Sequence, residues 1–473
     1  VKARLRYYIA MLRKPAIAII FAATCVAAVA LSSKPSGSAS KADVTAWDVY
    51  EEVCIVAVER EMWPGYDPRD YPLAIYDGED TYLFSHPSPP DGFSLAEASE
   101  NVFVYPGQHE TMRANTGLEV NGVLTATILL DTLRSNSLEA IAAVAIHEAF
   151  HVYQMIEHQD WPWANEGAML VYPVDDLELL VLRRKETEAL RRAVAADSLE
   201  DMLAWAAAAI EIRDARFSRL PGNAAEYEKC IELIEGTAHY VQSLAEDNPG
   251  LLAIPADGYA AEGVRLRAYA TGNAIGVLLD RLGVAWKETL NDEPGHLDDM
   301  LRDALSNERV VPVSFTMEED AVLTAQAREI AVKYHERLQS LRELFDGQTG
   351  ISVIVQSDDE PLFPRGFDPM NILVLSRSEM LHLRFLRLGN STGMLEVLDR
   401  MSTTTSSGNH PLFEGVRTLI VRGLPEPEVQ EIDNAVTLSA EGFTAQFRNA
   451  RIERKKGDIW IIVTAASQAK ADD

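Results

Sequence analysis

The chain has 473 residues, 47% hydrophobic and 24% charged, with 27 Gly and 22 Pro, so collagen-like, low-complexity and wholly disordered readings fall at once. The length allows roughly two to four domains, and three cysteines in such a chain exclude a small disulfide-stapled scaffold. The formal charge is −29, and with five basic residues in the first fourteen positions the remainder carries −34, which argues against nucleic acid or an anionic lipid surface as partner of the folded part.

The basic opening VKARLRYYIAMLRK is followed by the apolar run PAIAIIFAATCVAAVAL and then by SSKPSGSASKAD, which is small and polar. That order predicts a signal peptide or membrane anchor over residues 1–31 and a flexible linker over 32–45. Ala28-Val29-Ala30 offers a small-x-small site, so cleavage near Ala30 is the first reading and an uncleaved anchor the second. Both imply an exported protein, secreted or periplasmic, touching the membrane only through this segment. Cys54 and Cys230 then remain, as one disulfide or as two thiols.

Apolar spacing from Ala46 to Glu61 is helical. From about Pro72 to Leu130 it changes to short β-type runs, PLAIY, TYLF, NVFVY and LEVNGVLTATILL, in which Asn121-Gly122 signals a type I′ hairpin. Nearly everything from Asn136 to Phe345 reads as helix, punctuated near Pro221-Gly222, Asn248-Pro249-Gly250 and Gly283. Three starts, Asn136 to Glu139, Asn223 to Glu226 and Thr316 to Glu319, carry a capping-box-like pattern. After Gly347 β-type runs return: ISVIV, ILVLS, LHLRFLRL, MLEVL, VRTLIV, FTAQF and DIWIIV. The expected fold is α+β, with a small N-terminal sheet and large helical body over 46–346 and a β-rich C-terminal domain over 350–467.

Within the helix after Asn136 stands His147-Glu148-Ala149-Phe150-His151, an H-E-x-x-H motif. Two histidines at i and i+4 share one helix face, which lets both rings reach a single zinc ion. Glu148 projects beside that face, where it can take a proton from water. Leu138, Ile141, Ala142, Ala145, Ala149, Val152 and Ile156 form the apolar stripe, with the histidines off it. Further on, Glu228, Glu232, Glu235, His239 and Gln242 make one polar stripe opposite Ile231, Ile234, Ala238 and Val241. A polar stripe on a helix apolar enough to be buried needs something to bind. Gly236, costly inside a helix by about 1 kcal/mol, fits a close approach of another backbone.

These segments, HEAFHVYQ and EGTAHYVQ, resemble the zincin metallopeptidases, specifically the gluzincin type in which a glutamate on a later helix completes the metal site. The resemblance covers about residues 100–290. It implies a zinc-dependent hydrolase of peptide bonds, with His147, His151 and a glutamate as ligands and Glu148 as general base. Two glutamates compete for the third position: Glu166 in WPWANEGAML, whose helix Pro173 cuts short, and Glu235, which is favoured. His239 and Tyr269 are candidate donors to the oxyanion, and Glu232 is either a carboxylate orienting a histidine or a surface salt-bridge partner. The expected partner is a peptide or protein substrate; the alternative is an exported binding or assembly protein that keeps the zincin fold without turnover.

Other features read as structural. The run RRKETEALRR at 183–192 is expected to be a solvated, salt-bridged face. Arg213 and Arg216 are expected to pair with nearby acids, His158 to lie on the surface, Cys230 on the apolar side of its helix, and FPRGFDP and SGNHPLF to be turns. No G-x-x-x-x-G-K-[ST], G-x-G-x-x-G or G-x-S-x-G occurs, so nothing argues for a nucleotide or a serine nucleophile.

Overall fold

A computed structural model describes residues 44–464 except 98, 247–254, 256–257, 307, 309, 369–370 and 409. The expectations for residues 1–43, and the break at Asn248-Pro249-Gly250, lie outside the described residues. Ten α-helices and three sheets among the described residues make an α+β fold. No helix among them is long and apolar enough to cross a membrane. The chain divides into two compact units whose boundary falls between Tyr334 and His335.

The first unit opens with α1 (Ala46–Glu59), started by a capping box between Thr45 and Asp48. A six-stranded sheet follows, in the order β3 (Ser94–Leu95), β4 (Val102–Pro106), β2 (Asp80–Phe84), β1 (Leu73–Tyr76), β6 (Val123–Leu129), β5 (Thr116–Val120). Only β1 and β6 pair in parallel. The β5–β6 hairpin closes at Asn121 and Gly122, both at positive φ, as a type I′ turn requires. Side chains alternate across the pleat: Leu73, Ile75, Phe84, Ala126 and Ile128 enter the main core, while Ala74 and Leu83 join a smaller cluster with Met112.

The helices are α2 (Leu138–Glu157), α3 (Leu177–Ala195), α4 (Leu199–Phe217), α5 (Ala224–Ile231), α6 (Thr237–Ala245), α7 (Val264–Arg281), α8 (Trp286–Asp292), α9 (Leu297–Ser306) and α10 (Met317–Asp346). Of the three expected caps, Thr316 and Glu319 form a reciprocal pair. At α2 the cap is Ser137 rather than Asn136, its Oγ accepting from the Ala140 amide at 3.3 Å. Asn223 stands at the N-cap of α5 without a side-chain bond. The unit boundary lies inside α10, whereas the expected domain boundary lay after it.

Helix α2 packs against α1, α6, β5 and β6, and it is buried all round from Ile141 to Gln154. An amphipathic stripe was therefore too modest an expectation. Gly117 in β5 is what admits the strand, since a Cβ there would meet Met155 Cε at 2.5 Å and Val152 Cγ2 at 3.2 Å.

The second unit holds two largely antiparallel sheets. One has the order β18 (Ala450–Lys455), β19 (Asp458–Val463), β7 (Ile351–Gln356), β14 (Val416–Leu424), β13 (Ser402–Ser406), β10 (Glu379–His382), β9 (Ile372–Val374). The other runs β15 (Glu428–Ile432), β16 (Ala435–Ala440), β17 (Phe443–Arg448), β12 (Gly393–Leu398), β11 (Phe385–Gly389), β8 (Phe363–Phe367). In β17, Phe443, Ala445 and Phe447 are buried and the residues between them exposed. FPRGF, expected as a turn, is strand β8, pairing with β11 through a shift in register.

Candidate metal centre

Three side chains from two elements converge in the first unit. His147 and His151 come from α2, one turn apart, and Glu235 comes from a π-turn, Glu232–Gly236, lying between α5 and α6. Glu235 Oε2 stands 3.1 Å from His151 Nε2 and 3.7 Å from His147 Nε2, and the two Nε2 atoms are 3.1 Å apart. All three residues are buried, and together they can hold a metal ion. Around a tetrahedral ion with bonds of about 2.05 Å, donor atoms stand about 3.3 Å apart; the observed separations bracket that value. Two imidazole nitrogens and one carboxylate oxygen suit a borderline divalent ion.

The extra residue of the π-turn breaks the expected single stripe in two. Glu235 and His239 reach the histidines and Tyr269, whose ring lies parallel to that of His147 at 6.0 Å and 6.2 Å from that of His239. Glu228 and Glu232 enter a separate cluster instead. There Arg213 forks onto Glu232 with two 2.6 Å bonds, Arg216 onto Glu228, and Arg267 bridges Glu186 and Glu228. Glu232 thus orients no histidine and is not at the surface.

The same cluster corrects the reading of RRKETEALRR, because Arg183, Glu186, Thr187 and Glu188 in that run are buried. Burial would raise the Glu186 carboxyl, but Arg216, Arg267 and Arg213 around it hold it far below the usual carboxylate range. His158 is also buried, stacked on Trp161 at 4.4 Å and bonded to the Tyr153 hydroxyl. Among the described residues Cys54 and Cys230 form no disulfide.

Gly236 meets the backbone it needs. A Cβ there would lie 2.6 Å from Gly272 Cα, and one on Gly272 would lie 2.5 Å from the Glu232 carbonyl oxygen. The π-turn and α7 therefore cross with no side chain between them, which brings Arg265, on the first turn of α7, up to Glu235.

Glu166 is absent from the group of three. Its short 3-10 turn, Glu166–Val171, places one oxygen on Arg265 Nη1 and the other 3.1 Å from the Tyr227 hydroxyl. Arg265 and Gln154 are the two site residues that sequence reasoning missed. Gln154 follows His151 by three on the same helix face, a spacing that was legible; its Oε1 is 2.8 Å from His151 Nδ1 and its Nε2 donates to the Ile234 carbonyl and Thr237 Oγ1, each at 2.9 Å. Arg265 left no local signal, since its partners stand 30 and 99 positions away.

Burial dominates the electrostatics. It pushes the His147 imidazole down to about 4 and the Glu148 carboxyl up to about 8. Burial opposes the charged form of His151 too, yet the Glu235 carboxylate wins and holds it at about 9. Both Glu148 oxygens and His147 Nδ1 are buried without a hydrogen-bond partner among the described residues. A wholly buried carboxyl with two unpaired oxygens is costly unless something else occupies the site.

No protein-family description, no curated protein and no solved structure matches this chain.

Proposed function

We propose that the chain is a zinc-dependent peptidase of gluzincin type. One observation carries this reading: a buried His147–His151–Glu235 group stands beside Glu148, a buried acid whose two oxygens have no partner among the described residues. Three protein ligands leave a fourth position open, as catalytic rather than structural zinc sites do. When bound, zinc supplies Lewis-acid polarisation of a carbonyl and acidifies water.

The chain's own residues do the rest. His147, His151 and Glu235 would hold the ion, whose charge favours the ionised form of Glu148 that burial alone disfavours; Glu148 takes a proton from water at a carboxylate oxygen and passes it to the departing amine nitrogen. His239 and Tyr269, whose rings lie 6.2 Å apart, donate to the developing oxyanion. The stretch of α2 buried from Ile141 to Gln154 holds His147, Glu148 and His151 on one rigid element, so their spacing is set before substrate arrives. A peptide or protein is the substrate, and export through the N-terminal segment belongs to the same reading.

Metal content by mass spectrometry, with cleavage of a peptide library, tests this on the wild type, Glu148→Gln and Glu235→Gln. About one zinc per chain is expected in the wild type and Glu148→Gln, loss of zinc in Glu235→Gln, and turnover only in the wild type. No zinc after reconstitution, or full turnover in Glu148→Gln, sinks the reading. Zinc without any turnover in the wild type replaces it with a metal-holding binding protein.

A further inference from the structure

We propose that Arg265 is a positioning residue that confines Glu235 to one ligand oxygen and so keeps a coordination position open. The inference rests on the reading of His147, His151 and Glu235 as a metal centre. The guanidinium fork is split between two carboxylates: Nη2 donates to Glu235 Oε1 and Nη1 to Glu166 Oε1. Only Oε2 of Glu235 is left to face the histidines. A glutamate with both oxygens free can chelate, and a chelating Glu235 would fill the space that water or substrate needs.

The division of donors also solves a charge problem. A lone guanidinium beside a divalent cation would repel it. Glu166 cancels that charge while staying outside the ligand group, and the Tyr227 hydroxyl fixes its second oxygen. A lysine could not hold both carboxylates in one plane, because bridging them needs the planar fork. Four elements meet in this arrangement: the turn carrying Glu166, helix α5 with Tyr227, the π-turn with Glu235, and the start of α7 with Arg265. All four side chains are buried.

The test uses the full chain loaded with cobalt(II), whose visible bands are several-fold stronger in four-coordinate than in five-coordinate sites, with affinity read by competition against a chromophoric chelator and folding checked by circular dichroism. Wild type should show the strong four-coordinate bands. Arg265→Met should fold, bind cobalt and lose band intensity several-fold as Glu235 chelates. Glu166→Gln keeps an acceptor for Arg265, so its bands should stay strong, while the uncompensated guanidinium weakens binding by about tenfold. A wild type that binds neither cobalt nor zinc defeats the metal-centre reading itself. Binding in the wild type, with identical bands in Arg265→Met, overturns the role of Arg265 alone. Should Arg265→Met fail to fold, Glu166→Gln decides: weak bands or unchanged affinity there overturns the proposal.

Discussion

Gln154 fixes the tautomer of His151, and the reason lies in its amide nitrogen. That nitrogen must donate to the Ile234 carbonyl, so the amide oxygen faces His151 and Nδ1 keeps its proton, which leaves Nε2 as the nitrogen that gives up a proton when a metal is taken. Gln154→Leu removes all three of its bonds, to His151, Ile234 and Thr237; the metal affinity of the proposed centre should fall about tenfold, measurable by chelator competition. Affinity within twofold of the wild type would refute the role. At this scale much was legible: His147, Glu148 and His151 stand within five residues, and a regular helix places the two rings together by spacing alone. Glu235 was separable from Glu166 by the quality of its helix, but Arg265 was not, because nothing in a sequence tells which distant carboxylate an arginine will meet.

Elements carry a second set of consequences. Uniform helical spacing puts Glu228, Glu232 and Glu235 on one side, and only the wide turn at Glu232–Gly236 sends them to two destinations. Such a turn, with one extra residue in a continuous helix, leaves the hydrophobic pattern nearly unchanged, so the sequence could not announce it. Crossing at Gly236 and Gly272 makes a clear prediction: Gly236→Ala sets a Cβ against backbone and should cost about 1–3 kcal/mol of stability, read from urea denaturation. A neutral effect would mean that the crossing relaxes freely. The buried ion cluster should be harsher, since Arg213→Met takes the fork from Glu232 and one of three arginines from Glu186, and breaking a buried pair costs about 3–5 kcal/mol. In the second unit, strands with runs of large apolar residues were legible, whereas STTTS and ARIERK were not; their places in β13 and β18 come from ladder bonds to neighbours that composition does not encode.

At the scale of the molecule, acid acts on buried histidines in both units. His382 in β10 is wholly buried, and burial pushes its imidazole down to about 3. The folded state keeps it neutral while the unfolded chain takes up a proton below about pH 6.5. Its contribution is complete above that pH and shrinks towards pH 3, by at most about 1.4 kcal/mol per pH unit. Glu186 and Glu228 are held low by their arginines, so they weaken the first unit only below the ordinary carboxylate range. In the first unit burial likewise pushes His147 down to about 4, so both units lose stability below about pH 6.5. Trp460 is the sole tryptophan of the second unit, and the acid transition that its fluorescence reports should move to lower pH in His382→Gln. An unchanged midpoint in that variant would refute the role of His382. The buried cluster also bears on how the chain assembles. Glu228, Glu232 and Glu235 put three negative charges into eight residues, and the cations that admit them to the interior, Arg213, Arg216, Arg265 and Arg267, arrive from helices on both sides in sequence. The segment cannot dock until α4 and α7 have both been made and brought together, so the ligand set is completed among the last native contacts to form, and an ion that meets the nascent chain earlier finds only the two histidines.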